Sequence, residues 1–134
     1  MKSFIIVFGL VSLASASLIT PETPQEKTKF VAIHKKCQAD PKTFVDEDLV
    51  TKTIQGIFTE DQQLKIHMLC MNQGFNYIQP GGGLNEAILK QKWSAHYDGS
   101  DYTNLLKCLV NKSNDVETSW DMLICKHKTV GHLG

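Results

Sequence analysis

The sequence predicts an all-α domain of six short helices held by two disulfides. Apolar residues recur at helical spacing between turn signals, and no segment sustains the period-two alternation of a strand. Four cysteines, Cys37, Cys70, Cys108 and Cys125, stand behind an amino-terminal export signal. In that signal Lys2 is the positive flank, Phe4 to Leu13 is an apolar run too short to span a bilayer, and Ala14, Ser15 and Ala16 make a small-residue cleavage site. Residues 1–16 are therefore read as a signal peptide and residues 17–134 as one exported helical domain. An even number of cysteines in an exported chain of this size implies two bridges, with three connectivities open. Zinc ligation is disfavoured, because there is no CxxC pair and the histidines do not fall at ligand spacing with the thiols.

Helix 1 is expected over about Thr23 to Lys36, with Pro24 near its start, Phe30, Ile33, His34 and Cys37 on one face, and Pro41 beyond its end. Helix 2 starts at about Asp46, acidic in its first turn, with Leu49, Val50, Thr53, Ile54 and Ile57 inward and Gly56 near its end. Helix 3 covers Asp61 to Gln73: Thr59 and Gln62 have capping-box spacing, and Gly74 suits a left-handed stop. Its stripe is Leu64, Met68, Met71 and Phe75, while Ile66 and Cys70 project together from another side. Pro80 to Gly83 reads as a flexible connector, since neither the preceding strand nor the following lysine of a phosphate-binding loop is present.

Helix 4 spans roughly Asn85 to His96, with Leu89, Trp93 and Tyr97 in register and Ile88 beside them. Helix 5 begins near Ser100 and carries Tyr102, Leu105, Leu106 and Leu109 on one face until the pattern breaks at Asn111. Helix 6 opens on Asn114 and Glu117 at capping-box distance and turns Val116, Trp120, Leu123 and Ile124 inward. Lys126, His127 and Lys128 complement its carboxyl end, and only a short polar tail remains after Cys125.

Charge excludes some classes of partner. The chain has 14 basic and 14 acidic residues, and every basic residue is lysine. Without Lys2 the side-chain balance is one negative charge, which argues against a nucleic-acid or anionic-membrane surface. The absence of arginine removes the bidentate fork that grips phosphate. His34, His67, His96, His127 and His132 are the candidate bases, and Ser94 and Ser119 the candidate nucleophiles. No nucleophile elbow, zincin helix or carboxylate pair frames them, so lone surface histidines are the better account. No enzyme activity, cofactor or metal site is expected. Asn111, Lys112 and Ser113 form an N-glycosylation sequon. Taken singly, Met68, Met71, Phe75, Trp93 and Trp120 read as ordinary core.

Six short helices, the export signal and the cysteine spacing together resemble the insect pheromone and general odorant-binding proteins. Cys37, Cys70, Cys108 and Cys125 match the first, third, fourth and sixth cysteines of that family. The second falls on Ile66, four positions before Cys70, and the fifth on Val116, nine before Cys125. These two are bridge partners in the family, and their joint absence resembles its four-cysteine minus-C branch. The resemblance implies bridges Cys37–Cys70 and Cys108–Cys125, each worth about 3 to 4 kcal/mol in the chain-entropy account. It also implies that Ile66 and Val116 face each other between helices 3 and 6.

The resemblance further implies a secreted, non-enzymatic carrier whose helices surround an apolar cavity for small hydrophobic molecules, neutral or weakly polar. The expected walls are Ile54, Phe58, Leu64, Met68, Met71, Phe75, Ile88, Leu105, Leu109, Trp120 and Leu123, with Tyr77, Tyr97 or Tyr102 as a hydroxyl handle. The tail beyond Lys128 is too short to fill such a cavity, so its removal is expected to leave affinity unchanged. The expected partners are a small hydrophobic ligand and a membrane receptor for delivery, with no nucleic acid and no membrane insertion. The chain is expected as a monomer or weak homodimer in sensillar lymph, haemolymph or a gland secretion. The alternative is an extracellular interaction or signalling protein with a packed core and no ligand.

Overall fold

The computed structural model describes residues 23–131. The expected signal peptide with its cleavage site, together with His132 and Leu133, lies outside the described residues. Six helices follow in order: α1 (Pro24–Ala39), α2 (Glu47–Ile54), α3 (Gln62–Gly74), α4 (Glu86–His96), α5 (Gly99–Leu106) and α6 (Asp115–Val130). Among the described residues the only β pairing is a single bridge between Ile78 and Leu84. No described helix is long and apolar enough to cross a membrane.

Most helices begin where a polar side chain satisfies their free amides. Thr23 accepts from the Glu26 N–H, and the Glu26 carboxylate accepts from the Thr23 N–H in return. Asp46, Asn85 and Asn114 cap α2, α4 and α6. α3 departs from expectation: its cap is Asp61, whose carboxylate accepts from the Leu64 N–H at 2.9 Å, and Thr59 plays no part. An ionised carboxylate directly before the helix complements its positive end better than a hydroxyl set back from it.

Gly74 is likewise the last residue of α3 rather than its left-handed stop, which falls on Asn76 at φ 65°. Glycine is needed at 74 for close approach instead. A Cβ there would stand 2.6 Å from Ile33 Cγ2, so its absence lets α1 and α3 pack. The segment 80–83 is a pinned turn, not a flexible connector. The Gly83 N–H donates to Asp115 and the Leu84 N–H donates to Asn111, both at 2.9 Å. Asn111 is exposed, so the sequon is on the surface. At the other end, α6 runs past Cys125 to Val130 and stops at left-handed Gly131. The expected tail is therefore mostly helix, and Val130 packs on the core. Cutting after Lys128 would remove part of the fold.

Cys37–Cys70 ties α1 to α3, and Cys108–Cys125 ties the segment after α5 to α6. No cysteine is left for zinc. α3 and α6 share the most extensive helix contact. Within it the buried Asn72 amide donates to Ser119 Oγ at 2.6 Å, and Lys65 spans Glu60 at 3.0 Å and Glu117 at 3.4 Å. Ile66 and Val116 are both half-buried, on α3 and in the first turn of α6.

The buried apolar side chains form two clusters. One gathers Leu89, Trp93, Leu105 and Met122 from α4, α5 and α6 with Ile78 and Leu84 from the segment before α4 and Cys108 from the segment after α5. The other gathers Val50, Leu64, Met68, Trp120 and Leu123 from α2, α3 and α6 with Val45 from the segment before α2. Val50 and Thr53 are buried and Leu49 packs against the cluster, as expected, whereas Ile54 and Ile57, expected inward, are exposed, because α2 ends at Ile54.

The described histidines are not lone surface groups. His67 is fully buried; its Nδ1–H donates to the Thr43 carbonyl at 2.8 Å, and its Nε2 lies 3.2 Å from His34 Nδ1. His34 Nε2 is 2.8 Å from Glu47, close enough for its N–H to donate to the carboxylate. His127 packs edge-on against Phe58 beneath Gly56, where a Cβ would strike its ring.

Burial, the largest influence, holds the His67 imidazole below its ordinary 6.5, with the Thr43 carbonyl pulling the other way. Below that value the unfolded chain takes up a proton that the native chain resists, so stability is complete above it and falls with pH. The Glu47 carboxyl is held below its ordinary 4.5, first by the Gln38 amide and then by His34, and its contribution is lost only at more acid pH. Denaturant midpoints should therefore fall as pH drops from 6.5 toward 4.5, and His67→Gln should flatten that slope. Equal slopes in the two proteins would contradict this assignment.

Candidate ligand-binding site

The two apolar clusters do not merge. Between them lies a cavity of about 450 Å³. α1 contributes Glu26, Lys29 and Phe30 to its lining; α3 contributes Met68, Met71 and Asn72; and Phe75 and Tyr77 come from the segment after α3. α4 supplies Ile88, Leu89, Gln91, Lys92, Trp93, Ala95 and His96, and α6 supplies Met122, Leu123 and Lys126. Ile54, at the end of α2 and 47% exposed, stands at the rim. The floor is buried and apolar, with Leu89, Trp93 and Met122 from one cluster and Met68 and Leu123 from the other. The rim is exposed and polar at Lys29 and Gln91.

Glu26 connects the rim to helix chemistry. Its Oε1 caps α1, while its Oε2 lies 3.1 Å from His96 Nε2 and 3.9 Å from Lys92 Nζ on α4. Burial alone would raise the Glu26 carboxyl. The Thr23 N–H, Lys92 and His96 together outweigh it and hold the group below the ordinary carboxylate range. Phe75 stacks on Tyr77 with ring centres 5.2 Å apart. The Lys29 and Lys92 ammoniums stand 5.8 and 5.9 Å from the Phe75 ring centre, and Lys92 lies 5.3 Å from that of Tyr77.

Of the side chains expected as walls, Ile54, Met68, Met71, Phe75, Ile88 and Leu123 line the cavity, as does Tyr77 among the expected handles. Phe58, Leu64 and Trp120 instead fill the cluster around α2 and α3. Leu105 and Leu109 fill the cluster around α5, where Tyr97 and Tyr102 also pack. The difference is geometric: an inward stripe marks burial, not whether the space it faces is filled. Phe30, Leu89 and Trp93 were legible as inward positions without being separable as wall. Met122 lay outside the expected stripe of helix 6. The charged lining was missed, although Thr23 and Glu26 carry a capping-box spacing that fixes Glu26 at the start of α1.

The chain matches the PBP/GOBP family over residues 20–129, nearly the whole of the described structure. It belongs to the PBP/GOBP family. Neither a curated protein nor a solved structure matches it significantly. Membership agrees with the six helices, and four cysteines in two bridges are consistent with the minus-C branch of the family. PBP/GOBP proteins bind small hydrophobic molecules and are secreted. Among the described residues no three His, Cys, Asp or Glu side chains gather as a metal site.

The distinction between wall and filled core gives opposite expectations for two substitutions. Leu105→Ala, in the solid cluster, should cost about 2 to 5 kcal/mol of unfolding free energy. Ile88→Trp, at a half-buried cavity position, should occupy cavity space with little loss of stability and lower the affinity for a hydrophobic probe at least about tenfold. Thermal unfolding and probe titration of both variants check this.

Proposed function

We propose that the protein is a secreted carrier that holds one small hydrophobic molecule in the cavity between α1, α3, α4 and α6 and releases it chemically unchanged. The observation that carries this reading is the cavity itself: a space of about 450 Å³ with aromatic and aliphatic walls, within the roughly 300–1,000 Å³ of ordinary ligand sites. Family membership supports it. Odorants, pheromones and lipid-like molecules are the ligands this shape suits, and delivery to a membrane receptor is the corresponding role. A carrier needs reversible binding rather than a reacting group. Burial of ligand surface at about 25 cal/mol per Å² of apolar area, reduced by the cost of ordering the ligand, corresponds to micromolar affinity.

Delipidated protein should take up a naphthylamine-type fluorescent probe, and hydrophobic molecules from a broad panel of alcohols, esters, terpenoids, aromatics and acids should displace it. Failure of the probe to bind, or of every panel member to displace it, would favour the alternative of a packed extracellular interaction protein.

A further inference from the structure

The loop between α5 and α6 holds a sequence motif that the carrier reading leaves unused. Asn111, Lys112 and Ser113 make a sequon, and no other asparagine of the chain heads one. Val110 to Asn114 are all exposed, so a sugar attached there would meet solvent rather than core. The loop is nonetheless fixed: the Lys112 N–H donates to Thr118 Oγ1 at 2.7 Å, and the Lys112 ammonium lies 3.7 Å from Asp121. The orientation of the Asn111 amide is fixed as well. Leu84 offers an N–H, so the atom facing it at 2.9 Å is the amide oxygen, and among the described residues this is the one hydrogen bond of that side chain. Nδ2 is left with its hydrogens uncommitted. Glycine at 83 leaves room beside it, since a Cβ there would already touch the amide, at 3.5 Å from Oδ1 and 4.0 Å from Nδ2.

An exported chain meets the transferase that reads this motif, and PBP/GOBP proteins are secreted. We propose that Asn111 is the attachment site of an N-linked oligosaccharide, donated by a lipid-pyrophosphate oligosaccharide of the secretory route. Asn111 Nδ2 forms a bond to the anomeric carbon of the sugar as the C–O bond to pyrophosphate breaks. The lipid pyrophosphate leaves with that electron pair, and the amide gives up one proton. The Ser113 hydroxyl supplies the third position that the motif requires. Cys125 follows Asn111 in the chain, so the amide is open to transfer before the Cys108–Cys125 bridge closes around it. After transfer Oδ1 still accepts from the Leu84 N–H, and the modified side chain keeps its place in the fold. No residue of 79–84 or 107–119 lines the cavity, so the oligosaccharide is attached outside the ligand site. The inference rests on export and not on what the cavity holds.

The test secretes the full chain from cultured eukaryotic cells and treats the purified protein with peptide N-glycosidase. The intact mass should fall, with aspartate left at position 111 in the peptide that spans the loop. Ser113→Ala should be secreted without the added mass, and Ser113→Thr should keep it. Because Ser113→Ala leaves the Leu84–Asn111 bond in place, its thermal midpoint and its affinity for a naphthylamine-type probe should match those of the glycosidase-treated wild type. Asn111→Gln should also lose the oligosaccharide but unfold at a lower temperature, since the longer side chain sets the carbonyl away from the Leu84 N–H. Wild-type protein recovered from the medium at its bare mass would overturn the assignment, as would an added mass that persists in Ser113→Ala. Either result leaves the carrier reading intact, because probe binding is measured on the bare protein. Loss of probe binding in both treated and untreated forms would overturn the carrier reading and leave the attachment site standing.

Discussion

Helix α6 serves two cores at once. Met122 belongs to the cluster built with α4 and α5, and its neighbour Leu123 to the cluster built with α2 and α3. Adjacent residues on a helix point about 100° apart, so side chains that follow one another cannot fill the same space. With both clusters anchored on one helix, the region between them is left for the cavity, and α1 and α4 close it from the other side. The helix starts, the pinned turn at 79–84 and the close approach at Gly74 all serve to hold helices around that gap.

The covalent ties lie beside the gap rather than across it. Cys37–Cys70 fixes α1 on α3, and Cys108–Cys125 fixes the end of the α5 region on α6. The contact between α3 and α6 has no bridge and depends on packing, the buried Asn72–Ser119 bond and the Lys65 ion pairs. A buried hydrogen bond is costly to break without a replacement, since each group then loses its partner in a dry environment. The bond thus fixes register where a covalent tie is missing. At the mouth, Glu26 joins secondary structure to the site: the carboxylate that caps α1 also holds Lys92 and His96 of α4.

Much of the fold was legible because it depends on local rules. Spaced apolar residues, Asn114 as a cap and the spacing of the four cysteines each carry a signal that can be read from the sequence. Gly74 shows where local reading ends: its small size answers to Ile33, distant in sequence. His67 and Lys126 show the same, because buried polar residues within a polar-looking helix face are explained only by partners or cavities contributed by other segments. The division of inward residues between filled core and cavity wall was not legible for Leu64, Leu105 or Trp120. Periodicity reports that a side chain faces inward but not what lies opposite.

The two tryptophans test the central claim, since Trp93 lines the cavity and Trp120 lies in solid core. A brominated aliphatic ligand quenches indole fluorescence only on near contact. With a ligand in the cavity, Trp120→Phe protein should keep strong quenching on titration, while Trp93→Phe protein should lose most of it without losing affinity for an unrelated displaceable probe by more than a few fold. Quenching that survives in Trp93→Phe and vanishes in Trp120→Phe would place the ligand in the α2–α3–α6 cluster and contradict the split-core account.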